Sequence, residues 1–148
     1  MIKSMLQKLS FILFCVLGLQ FATAQLHRFK AENISVITRT EKGEWSKWSK
    51  PEPSSLLITV DEAKNRIVIH SQDIQVYTIL SADTNDSNAD DEVQTFECAD
   101  LEGGACTILF LMRKKQNKRM QCYVNFNDIR FVYNVSILED PVAEPKKQ

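Results

Sequence analysis

The sequence predicts an all-β domain, an antiparallel meander of about eight strands that is barrel-like, with a two-sheet β-sandwich as the alternative. Three observations carry this. Apolar residues alternate with polar ones at period 2 in one segment after another. Turn residues separate those segments at short spacing. No stretch beyond residue 24 shows a convincing helical pattern. Eight antiparallel strands in about 115 ordered residues is the size at which a sheet closes around side chains or one small ligand.

Residues 1–24 read as a signal peptide: Lys3 and Lys8, an apolar core from Leu9 to Leu19, and Ala22-Thr23-Ala24 as the cleavage site. The core is shorter than the roughly 20 residues of a membrane-spanning helix, and no second such run follows, so no transmembrane segment is expected. Cleavage near Ala24 leaves one β domain over 25–138 and a Pro-containing tail at 139–148 that is expected to be disordered. The expected location is secreted or periplasmic.

Along the domain, His27 to Thr38 forms a first strand whose apolar phase changes near Glu32 and Asn33, the mark of a bulge. A polar loop with Gly43, Pro51 and Pro53 follows. Leu56 to Asp61 and Arg66 to Ser71 then form a hairpin with Leu56, Ile58, Val60, Ile67 and Ile69 on one face, leaving His70 on the other beside Leu57. Ile74 to Leu80 is the next strand, where the apolar set changes phase between Val76 and Tyr77, which predicts a second bulge. The acidic loop from Ser81 to Glu92 comes after it. Here Asp86, Asn88, Asp90, Glu92 and Glu97 fall at positions 1, 3, 5, 7 and 12 of a calcium loop, although Asp91 stands where that loop needs glycine.

Phe96 to Ile137 is the most regular stretch. Pairing Arg113 with Arg119 sets Phe110 opposite Cys122 and Ile108 opposite Val124; a two-residue turn at Asn127 and Asp128 then sets Cys122 opposite Tyr133. Both turns deliver one apolar face, and a slip of one residue would destroy it. Pairing Phe96 with Ile108 brings Cys98 opposite Cys106, where an exported protein invites a disulfide worth ~2 to 3 kcal/mol. Cys122 remains as a small buried apolar residue. On the other face Leu109, Tyr123 and Val132 align in a row, which is either covered by the fold or contacts a partner.

Trp45-Ser46-Lys47-Trp48-Ser49 resembles the WSxWS signature of class I cytokine receptors, and its first four residues resemble the WSxW of thrombospondin type 1 repeats. Tryptophans so spaced can stack with cations, and Lys42, Lys47 and Lys50 are at hand. The receptor motif sits late in its module and the repeats are dense in disulfides, whereas here the motif is early and three cysteines follow the signal, so the match is read as coincidental. Gly43-Glu44-Trp45 resembles the G-x-W of lipocalins, which implies a tryptophan closing one end of a barrel. An early W-S-x-W, the Cys98 to Cys106 hairpin and the strand pair from Phe126 to Val135 together resemble short exported bacterial β-proteins of unassigned function. No activity comes with that resemblance.

Without Lys3 and Lys8 the chain carries sixteen basic and nineteen acidic residues, a balance with no footprint for nucleic acid. The basic run Arg113, Lys114, Lys115, Lys118 and Arg119 reads as a solvated hairpin tip. Two histidines, one near the start of the domain and one on an apparent surface, make a poor base for nucleophilic catalysis. The sequence thus points to an exported, non-enzymatic β-domain that binds a small apolar ligand or a protein partner through Trp45, Trp48, Leu109, Tyr123 and Val132. The alternative is a calcium-stabilised structural module built on the five acidic-loop positions, with no other cofactor.

Overall fold

The computed structural model describes residues 26–139, so the signal and all but the first residue of the tail lie outside the described residues. Eight strands follow one another: β1 (Leu26–Thr38), β2 (Glu52–Asp61), β3 (Arg66–His70), β4 (Gln75–Asp83), β5 (Asp91–Ala99), β6 (Ala105–Arg113), β7 (Arg119–Asn125) and β8 (Ile129–Leu138). Each pairs antiparallel with the next, and β1 pairs with β8 to close a barrel. The sandwich alternative is therefore not adopted. No helix of the described residues is long and apolar enough to cross a membrane.

The meander from β5 to β8 has the register read from the turns: Phe96 opposite Ile108, Phe110 opposite Cys122, Cys122 opposite Tyr133. Phe126 donates its backbone N–H to the carbonyl of Ile129 across the Asn127–Asp128 turn. That turn does not use left-handed backbone. Among the non-glycine described residues such backbone falls at Asn65, Asn117 and Lys118, in the β2–β3 and β6–β7 turns. The β5–β6 turn is built by Asp100, whose carboxylate accepts the amides of Glu102 and Gly104 at 3.0 and 2.7 Å. Gly103 there adopts φ +82°, and a Cβ on Gly104 would lie 2.7 Å from that carboxylate. Gly103 is thus favoured for its backbone, and a side chain at Gly104 would have to displace the Asp100 carboxylate that builds the turn.

The first bulge falls as expected, with the register shift of β1 lying between Ala31 and Asn33 against both neighbours. The second does not. β3 and β4 pair without interruption through Val76, which stands opposite Val68, and the shift comes between Ile79 and Ser81. Val76 faces outward with Val68, so its apolar character signalled a shared outer patch and no change of phase. β2 also begins earlier than its apolar pattern, because Glu52 and Pro53 already pair with β1. Pro53 has no N–H to donate, which is tolerated close to the end of a strand.

The interior is one hydrophobic cluster drawn from every strand, with Ile58, Ile67, Ile69, Ile108, Val124, Cys98 and Cys122 almost wholly out of solvent. Phe110 anchors it, its ring 4.7 Å from Phe29 and 6.2 Å from Phe96, the latter edge-to-face. Ring pairs at these separations add to the area they bury. Ile108→Ala should therefore lower the unfolding free energy by about 2–5 kcal/mol, read as a fall in the midpoint of urea denaturation with an unchanged slope.

Candidate functional site

Beyond the point where β2 leaves it, β1 still presents backbone groups that need partners. The Trp45–Ser49 segment supplies them. Ser46 donates its N–H to the Thr38 carbonyl at 2.8 Å while its hydroxyl accepts the Thr38 N–H at 3.1 Å. Ser49 does the same with Val36, at 2.9 and 2.8 Å. The spacing of three turns both serines towards the strand. The motif thereby caps a strand segment whose backbone would otherwise go unpaired.

Neither tryptophan joins the core, contrary to the lipocalin-like expectation that one closes a barrel end. Both lie on the outer wall. The Trp45 ring has the guanidinium of Arg130 at 4.2 Å and that of Arg39 at 5.6 Å from its centroid, so its cations are arginines from β8 and the loop itself, not Lys42, Lys47 or Lys50. Trp48, still 43% exposed, meets Tyr123 edge-on at 6.3 Å. Leu109, Tyr123 and Val132 do form a cross-strand row, which runs on to Thr95 at one end and Ser35 at the other. Trp48 covers the middle of that row. Beside it Gln121 donates to Asn134, which bonds Asn33 across the closing seam.

The acidic loop folds back on the same side. Asp91 lies 3.9 Å from Arg113 and Asp90 2.6 Å from Lys115, while the Lys114 ammonium donates to the Asn88 carbonyl. The basic hairpin tip is thus the loop's docking partner and not merely a solvated turn, though exposed pairs of this kind hold it weakly. These contacts also disperse the calcium positions. The Asn88 side-chain oxygen accepts the Asp90 and Asp91 amides, Asp90 pairs with Lys115, and Glu97 accepts from Thr107 on the barrel wall. Among the described residues no group of three or more His, Cys, Asp or Glu is placed to hold a metal. Of the five calcium-spaced positions, Asn88, Asp90 and Glu97 thus have separate partners in this structure.

Among the described residues, concave regions lie on the outer wall and at both barrel ends. On the outer wall, a cleft of about 470 Å³ lies between the Trp45 loop and Asp86, floored by Thr95, Thr107, Leu109 and Asn125. At the barrel end beneath the β6–β7 hairpin, a mouth of about 570 Å³ is lined by Val93, Phe110, Met112, Met120 and Ile137. The opposite end holds a smaller hollow of about 300 Å³ beside Tyr77, Asp100 and Phe126. Sequence reasoning placed Trp45 and Leu109 at a site but missed Arg130, Asn125 and Thr95, whose outward phase was readable while the loop that walls them in was not.

Behind the smaller hollow lie the cysteines. Cys98 and Cys106 are opposed as expected, but they are two free buried thiols, which corrects the expected disulfide. A hydrogen bond to Cys106, together with burial, holds the Cys98 thiol far above the ordinary thiol range. That protonated state suits a pair packed into the core as apolar residues. Cys122 is pushed up by complete burial. Tyr77 donates its hydroxyl to the Gln75 side chain at 2.6 Å and is also raised, chiefly by burial. His70 lies on the exposed outer wall, 3.4 Å from the Thr59 hydroxyl.

Comparison with known proteins returned no match to any family model, curated protein or solved structure.

Burial pushes the Tyr133 phenol up to about 12, against the bond it makes with Gln75. From the ordinary value of 10.0 upward the unfolded chain gives up this proton before the folded one does, so stability is full below that pH and is lost as pH rises towards about 12. Tyr133→Phe should flatten this alkaline decline, measured as melting temperature across the same window.

Proposed function

We propose that this chain is an exported, non-enzymatic binding barrel whose mouth beneath the β6–β7 hairpin takes a small apolar ligand. The observation that carries the reading is that mouth: a concavity of about 570 Å³ lined by Val93, Phe110, Met112, Met120 and Ile137, with Glu92, Gln94 and Lys114 among its polar lining. Its size falls in the range of small-molecule pockets, and an apolar lining with a few polar groups is their usual chemistry. Two methionines suit it to ligands of varied outline, because an unbranched thioether side chain adapts to irregular shapes. Ile137 is 61% exposed at the rim, apolar surface that a ligand would remove from water. Phe29, Phe96 and Phe110 fill the core, which supports a ligand at the end of the barrel over one along its axis. Export is supported by the leader-like pattern of residues 1–24.

The test is binding of the apolar fluorophore N-phenyl-1-naphthylamine, followed by its emission and by native mass spectrometry. Saturable one-to-one binding is expected. Met112→Lys and Ile137→Ser should each weaken it about tenfold or more, since burying one large apolar side chain is worth on the order of 1.5–3 kcal/mol. Binding that is absent, or indifferent to both variants while their melting temperatures hold, would remove the reading.

A further inference from the structure

The outer-wall cleft is polar, and two of its atoms lack partners. Thr95 is only 6% exposed, yet its hydroxyl makes no hydrogen bond among the described residues; the side-chain oxygen of Asn125 is likewise buried and without a partner among them. A buried polar atom left unpaired carries a cost of about 1–3 kcal/mol. Both residues line the cleft, from two strands separated by β6. Nearby stand Thr107, Asn127 and the Trp45 ring, with its two arginines.

The charges narrow what the cleft would hold. Arg39 and Arg130 line it together with Asp86 and Glu97, so neither sign prevails. An anion would face two carboxylates and a cation two guanidinium groups. The Asn125 oxygen can only accept, so the missing group must carry a proton, and because the Thr95 hydroxyl can either donate or accept, a group that also has a lone pair completes both in either sense. A hydroxyl meets that need. A neutral ligand with several hydroxyls and an apolar C–H face for an aromatic wall has the chemistry of a saccharide. The cleft's volume of about 470 Å³ is of the right order for such a ligand.

We propose that the cleft between the Trp45 loop and Asp86 is a saccharide-binding site, in which sugar hydroxyls complete Thr95 and Asn125 while Trp45 packs beside the sugar ring. It is separate from the apolar mouth, and each site is testable without the other.

The test is a glycan array covering hexose, hexosamine and pentose oligomers, probed with the full protein. The strongest hit is then titrated into isotope-labelled protein by NMR, with sodium sulfate as a charged comparator. A saturable shift of the Trp45 indole resonance and of the Thr95 and Asn125 amides is expected from a neutral oligosaccharide and not from sulfate. Thr95→Val, close in shape but without the hydroxyl, should weaken binding about 3- to 10-fold, the loss one neutral hydrogen bond carries. The exposed Asn127→Ala is a second variant that leaves the core alone and should also weaken it. Naphthylamine binding at the mouth should be unchanged in both variants. A silent array, a larger response to sulfate, or saccharide binding unaffected by Thr95→Val and Asn127→Ala would each overturn the proposal.

Discussion

Closure rests on β1. Its thirteen residues pair with β2 along one edge and with β8 along the other, and the shift between Ala31 and Asn33 serves both pairings at once. Before the shift, odd positions such as Phe29 and Ala31 enter the core; after it, Ile34 packs against the same core. Without that extra residue the second half of the strand would turn its apolar side chains outward. A bulge also bends its strand and increases its twist, which helps a sheet curve back on itself. The core, the seam network of Asn33, Asn134 and Gln121, and the support of the Trp45 loop all follow from this one irregularity.

The barrel was legible because its information is local. In the meander from Phe96 to Ile137, every strand keeps one unbroken inward apolar phase and every turn is short, so the pairings follow from apolar phase and turn length alone. Errors arose where a side chain's environment depends on something distant. Val76 looked like an inward residue out of phase because Val68, its partner on the outer wall, is also apolar. Cys98 and Cys106 were placed opposite one another correctly, but opposition settles position and not oxidation. The lysines near Trp45 were closest in sequence, whereas Arg130 reaches its ring from β8.

The candidate sites were less legible for the same reason. Each requires a loop to lie against a strand far from it in the chain. Outward residues such as Thr95, Thr107 and Asn125 are ordinary strand polar residues until the Trp45 segment and the acidic loop rise on either side. Of the acidic residues at calcium spacing, Asp90 meets the basic hairpin through Lys115. Spacing along the chain describes an oxygen cluster only when the backbone curls to gather it, and here the side-chain oxygens of Asn88, Asp90 and Glu97 meet amides, Lys115 and Thr107 respectively.

The closing seam has a further consequence, for the order of events during synthesis. β1 is the first strand made and its partner β8 the last, so their pairing joins residues about a hundred positions apart, as Asn33 and Asn134 are. Hairpins between successive strands form at small entropic cost, whereas this contact must wait for the whole domain. Until residue 138 has emerged, one edge of β1 is open and the apolar interior is incomplete. A chain that cannot lock before its final strand arrives stays threadable while it is being made, and is exposed to misassociation along that edge for the same interval.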